Sequence, residues 1–117
     1  MTDFRERETL VDIRERCLAI DRATRSIPAR IQDDEVVAAA VLYHLHVIGE
    51  ATTRLSDEFK RRHPEIGWSG WRGFRIISTH HYDKIDLSRV QRQMERALPL
   101  MHAMVERELV ESGEGQS

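Results

Sequence analysis

The sequence predicts an all-α protein, a small up-and-down bundle of four to five helices. Three observations carry that prediction. Gly occurs 6 times and Pro 3 times in 117 residues, so the chain has few places to turn sharply. Strong helix formers fill the long segments, and apolar residues recur in them at steps of three and four. No stretch alternates apolar and polar residues in the way a half-buried strand requires. The length fits one domain, expected over residues 1–111, followed by a polar, disordered tail over 112–117.

The first helix is expected from Asp3 to Arg25, with Leu10, Ile13, Cys17, Ile20 and Thr24 forming one face, widened by Val11 and Leu18. Pro28 bars its continuation, because the residue before a proline resists the α region. The second helix opens near Asp33-Asp34-Glu35, where acids face the positive end of the helix dipole. Its stripe is Val37, Val41, Leu45, Ile48, Thr52, Leu55 and Phe59, with Ser56-Asp57 able to interrupt it and cap a short separate helix through Arg62. Pro64 and Gly67 end that region. A third long segment is expected from Trp68 or Ser69 to about His80. Gly70 and Gly73 weaken it by about 1 kcal/mol each relative to Ala and suggest close approach of another backbone. The last helix opens at Asp86 and carries Leu87, Val90, Met94, Ala97, Leu98, Met101, Val105 and Leu109, with Pro99 expected to kink it or start a new turn.

Composition excludes several classes of function. One cysteine allows neither an intramolecular disulfide nor a cysteine-based zinc site, and Cys17 reads as a small core residue. No apolar run approaches the ~20 residues needed to span a bilayer, and the charged start MTDFRERETL lacks a signal peptide's apolar stretch. A cytoplasmic protein without membrane attachment is expected. Net charge is −2, but it is unevenly spread: Arg54 to Arg96 holds ten Lys and Arg against six Asp and Glu, a net of +4.

The six histidines point to no metal site. His44 and His46 lie about 200° apart on a helix and cannot share an ion, and His46 with Glu50 supplies two ligands only. No metal and no cofactor is expected. His63 receives no role, and His102 reads as structural. The segment Arg75-Ile76-Ile77-Ser78-Thr79-His80-His81-Tyr82 is different. On a continuing helix, Arg75 and His80 stand about 140° apart at the rim of one groove, and His80 meets the negative end of the dipole. An arginine and a titrating histidine are what phosphodiester cleavage needs: one stabilises charge on the phosphate, the other moves a proton. The same residues could instead satisfy a helix end. The basic segment brackets them, with Arg72 and Lys84 as candidate RNA contacts. Trp68, Trp71, Phe74 and Tyr82 interleave with it, and exposed rings, Trp71 among them, could stack on single-stranded bases; both tryptophans could instead be core anchors, Trp68 above all.

From about Val41 to Val105 the chain resembles the HepT-like branch of the HEPN superfamily. Ile48-Gly49-Glu50-Ala51 is similar to that family's helical G-E-A signature, and His63-Pro64-Glu65-Ile66-Gly67-Trp68 to its H-P-x-I-x-W turn. Gly73-Phe74-Arg75 leads into an R-x4-H-x-Y pattern completed by His80 and Tyr82, and Leu98-Pro99-Leu100 resembles the closing L-P-x-L.

The resemblance implies a dimeric helical bundle. It implies a metal-independent endoribonuclease toxin of a bacterial toxin–antitoxin pair, with Arg75 and His80 catalytic and RNA as substrate. The implied antitoxin is an MntA-like nucleotidyltransferase that adds AMP to Tyr82. Ser78, Thr79, His81 and Glu50 are candidate supporting residues. The dimer would double the basic segment at one cleft, and assembly with the antitoxin could go further. One position departs from the pattern: Ile76 stands where the family usually has a polar residue, commonly Asn. Two readings therefore remain open: an active ribonuclease, and a dimeric module of weak or no activity that binds a nucleotidyltransferase.

Overall fold

The computed structural model describes residues 3–25, 30–77 and 84–113. They form five α-helices and no strand: α1 (Phe4–Arg25), α2 (Glu35–Thr52), α3 (Asp57–Arg62), α4 (Trp68–Phe74) and α5 (Leu87–Glu111). The all-α prediction holds. Packing runs α4 on α2, α2 on α1, and α1 on α5.

Side-chain caps set most of the starts. The Asp3 carboxylate accepts from the Glu6 amide at 2.8 Å, and the Asp34 carboxylate from the Val36 and Val37 amides at 3.0 and 3.1 Å. The Asp86 carboxylate accepts from the Arg89 amide at 3.1 Å. Each removes a donor that the first helical turn leaves without a partner. Between α1 and α2 a 3₁₀ turn, Ile31–Asp33, buries Ile31 and donates its amide to the Gln91 side chain at 3.0 Å, which ties the α1–α2 connection to α5.

The second stripe is carried by two helices, with the break and the short capped helix at Ser56-Asp57 that the sequence allowed. α2 stops at Thr52, and Ser56 caps α3 by accepting from the Phe59 amide at 3.0 Å. The Ser56 amide and hydroxyl donate to Glu6 at 3.1 and 3.0 Å, so this break is held against the start of α1. Leu55 and Phe59 still reach the core from either side of the break.

α5 runs unbroken through Pro99. The proline is on the exposed side, and the carbonyl that its ring leaves without a partner belongs to exposed Glu95, where water can replace the lost bond. Its buried face contains the expected Val90, Met94, Met101, Val105 and Leu109, and adds Met104 and Glu108. Glu108 is a buried acid with partners: His63 Nε2 lies 2.6 Å from its Oε1, and an Arg62 Nη1 3.8 Å away. His63, to which the sequence pattern attached no role, therefore joins the turn after α3 to α5. Of the expected tail, Ser112 and Gly113 form a turn after α5, and residues 114–117 lie outside the described residues.

Candidate active site

The site begins with the turn from α3 to α4. Pro64–Ile66 forms a 3₁₀ turn, and Gly67 follows at φ 70°, in the left-handed region where a side chain would be strained. The Trp68 indole then donates to the Lys60 and His63 carbonyls, each at 3.0 Å. These bonds fix where α4 starts. Phe59 packs edge-on to Trp68 with ring centroids 6.3 Å apart. The H-P-x-I-x-W stretch thus acts as a rigid elbow that aims α4.

α4 is shorter than expected. It ends at Phe74, with Arg75 as its C-cap, and residues 75–77 continue in i→i−3 bonds: Arg75 to Arg72 at 3.2 Å, Ile76 to Gly73 at 3.3 Å and Ile77 to Phe74 at 3.2 Å. Gly73 inside the segment and the β-branched Ile76-Ile77 beyond it explain the early stop, since both disfavour helix. The continuing helix that the expected Arg75–His80 relation assumes stops at Phe74. Ser78, Thr79, His80, His81 and Tyr82 lie outside the described residues.

Close backbone approach does occur, but not at the glycines of α4. A Cβ added at Gly70 or Gly73 would meet nothing within 4 Å. A Cβ added at Gly49 would sit 2.7 Å from the Arg75 amide nitrogen and 2.8 Å from the Trp71 carbonyl oxygen. The glycine of the G-E-A signature is therefore the point where α2 and the end of α4 touch. Its neighbour Glu50 completes the contact: Oε1 accepts from Arg75 Nε at 3.1 Å. Glu50 turns to Arg75, not to His46. Both side chains are 45% exposed, so the pair is open to solvent. With Nε engaged, the two Nη groups carry the remaining donors of a half-exposed guanidinium, and their end-on fork suits two phosphate oxygens.

The other expected contacts divide. Arg72 on α4 and Lys84 ahead of α5 are exposed. Trp71 is not available for stacking. It is 1% exposed and lies edge-on to Phe74, with centroids 5.3 Å apart. Trp71 is the fully buried anchor, and Trp68 is half-buried, packed against the core. Trp71 lies mid-helix with Phe74 on the packed face, whereas Trp68 is the first residue of α4 and its indole is held at the turn by the Lys60 and His63 carbonyls. Ile76 is 84% exposed, an apolar side chain in solvent beside Arg75. Among the described residues no three His, Cys, Asp or Glu side chains gather in a way that could hold a metal ion, and no helix is long and apolar enough to cross a membrane.

A second cluster, absent from the sequence prediction, occupies the α1–α2 edge. An Arg16 Nη1 lies 3.3 Å from His44 Nδ1, and the Arg16 guanidinium lies over the Tyr43 ring at 5.4 Å. Burial, then the charges of Arg16 and Arg22, hold His44 below its ordinary pKa. The sequence signal was the seven-residue step from Tyr43 to Glu50, which puts both on one line of α2.

Comparison with known proteins gives a consistent picture. A family model described as ribonuclease HepT-like matches residues 8–108. A protein of Thermococcus cleftensis named "Probable ribonuclease HepT" is 30% identical over 104 residues, covering 86% of this chain and 93% of its own. Two candidate RNases of Methanocaldococcus jannaschii, MJ1380 and MJ0127, are also similar. The first is 27% identical over 63% of this chain and 68% of its own; the second is 37% identical over 42% and 40%. No solved structure matches.

Proposed function

Starting from a chain that belongs to the ribonuclease HepT-like family, we propose that it is a metal-independent endoribonuclease whose catalytic residues are Arg75 and His80. The observation that supports this most is the Glu50–Arg75 pair beside Gly49, which holds an arginine fork open to solvent at the point where the family motif begins. In this reading an RNA phosphate docks on the Arg75 Nη groups. His80 removes the proton from the adjacent 2′-hydroxyl, whose oxygen attacks phosphorus. The 5′-oxygen leaves and takes up a proton, giving a 2′,3′-cyclic phosphate and a 5′-hydroxyl. Charge gained by the phosphoryl oxygens is balanced by Arg75. Ser78, Thr79 and His81 support the pair, and Arg72 and Lys84 attract the strand.

The working unit in this proposal is a cytoplasmic homodimer, with two Arg–His pairs at one cleft. It serves as the toxin of a toxin–antitoxin pair. Its antitoxin is an MntA-like nucleotidyltransferase that transfers AMP from ATP to the Tyr82 oxygen, releasing pyrophosphate. The added phosphate would repel RNA from the cleft.

One observation favours a second reading. Ile76 is exposed beside Arg75 and cannot hydrogen-bond, so the chain could be a dimeric module of weak or no activity that binds the nucleotidyltransferase. Incubation of the purified protein with RNA in a chelator separates the two. The ribonuclease reading expects cyclic-phosphate products that vanish in His80→Ala and Arg75→Ala. Cleavage by Ile76→Asn but not by the unmodified chain would establish the second reading. Mass spectrometry after incubation with the partner and ATP tests Tyr82, and equal modification of Tyr82→Phe would refute that assignment.

A further inference from the structure

The Arg16–Tyr43–His44 cluster has the features of a built site. Arg16 is half-buried, and no carboxylate among the described residues forms an ion pair with it. Nearby acids are committed elsewhere: Asp12 to Arg54 at 3.8 Å, and Glu15 to Arg14 at 3.9 Å. The guanidinium can only donate, so His44 Nδ1 accepts and its proton sits on Nε2. That makes the ring a second neutral donor. Arg16 covers one face of Tyr43, yet Tyr43 remains 47% exposed. A cation fixed at a ring and a histidine, without an acid to neutralise it, is arranged for an anion from outside.

Position gives the anion its class. Tyr43 and Glu50 are seven residues apart on α2, about two turns and ~10 Å along one line of the helix. Glu50 holds Arg75. The partners of the two arginines therefore stand along one line of α2, about two turns apart, a span that a short piece of single strand can cover. We propose that Arg16, Tyr43 and His44 form a second nucleotide subsite, where Arg16 takes a phosphate and Tyr43 stacks a base of the RNA strand whose scissile phosphate lies at Arg75. This rests on the ribonuclease reading and adds to it an anchor away from the reacting bond. Such an anchor lowers KM and leaves kcat unchanged, because it binds substrate and transition state equally.

The test is fluorescence anisotropy with a fluorescein-labelled, uncleavable 2′-O-methyl RNA decamer, across a range of salt concentrations. Arg16→Gln is expected to weaken binding about 5–20-fold and to flatten the salt slope by about 0.7, the share of one single-strand phosphate. Tyr43→Leu is expected to weaken it about 5–10-fold with the slope unchanged. Arg16→Lys, which keeps the charge and loses the planar fork, should fall between wild type and Arg16→Gln. Arg25→Gln removes a surface charge paired with Asp21 and should change nothing. Circular dichroism melts confirm that each variant is folded; should Arg16→Gln fail to fold, Arg16→Lys carries the comparison. If Arg16→Gln and Tyr43→Leu bind like wild type while Arg75→Ala does not, the subsite is wrong and the Arg75 site stands. If the wild type binds no RNA, both fall together. If Tyr43→Leu turns a dimer into a monomer while Arg16→Gln keeps full affinity, the face is a protein interface and the subsite is overturned.

Discussion

Gly49 and Arg75 lie against each other with no room for a side chain: a Cβ on Gly49 would stand 2.7 Å from the Arg75 amide nitrogen. The three nearest atoms it would meet are all backbone, so no rotamer change relieves the clash. Gly49→Ala forces the end of α4 away from α2. Helix propensity favours Ala over Gly by about 1 kcal/mol, but overpacking against fixed backbone costs about 1–3 kcal/mol. The expected net result is an unchanged or lowered melting temperature together with a loss of RNA cleavage, measured on the same preparation. Gly73→Ala, where nothing lies within 4 Å, should by contrast stabilise the fold.

Glu50 orients Arg75 through one hydrogen bond at 3.1 Å between two half-exposed groups. An exposed pair adds at most about 1 kcal/mol to stability. Glu50→Ala should therefore leave the melting curve nearly unchanged while lowering kcat/KM about 10-fold. Arg75→Ala should lower it by about 10²–10³-fold. An Arg75→Ala enzyme of undiminished activity would remove Arg75 from the mechanism.

Cys17 is 1% exposed on the α1 face of the core, and burial, with a smaller push from Glu106, raises its thiol pKa to about 12. At pH 8 only about one molecule in 10⁴ carries the reactive thiolate. A disulfide reagent such as DTNB should leave the native protein unlabelled and titrate one thiol in guanidinium. Rapid labelling of the folded chain would contradict the buried position.

His44 gives a pH dependence with a defined sign. Its folded pKa lies below the ordinary value of 6.5 because burial, Arg16 and Arg22 all disfavour the charged ring. The unfolded chain therefore binds the proton first. Stability supplied by the neutral ring is present above pH 6.5 and is lost as pH falls from there towards the folded pKa. His44→Asn keeps an acceptor for Arg16 and does not titrate. Between pH 7.5 and 5.5 the wild type should lose more of its melting temperature than His44→Asn does; equal losses would rule the linkage out.

The sequence alone determined the helix class, most starts and most of the buried stripe. These depend on local chemistry: Asp34, Ser56 and Asp86 cap the turns that follow them, and Leu10, Ile13, Cys17 and Ile20 recur at helical spacing. It also marked Arg75 and Glu50 within separate motifs. Tertiary structure decided how those motifs meet. Nothing local shows that Gly49 must yield space to α4, because the atoms that would clash with it are 22 and 26 residues further on. Nor does spacing settle which tryptophan is buried, since Trp68 and Trp71 are three residues apart and share a helix face; the tie of the Trp68 indole to the Lys60 and His63 carbonyls holds that ring at the turn. The Glu50–Arg75, His63–Glu108 and Arg16–His44 pairs join residues 25, 45 and 28 apart. Periodicity reports which face a residue occupies, and only the packing of α1, α2, α4 and α5 determines what that face touches.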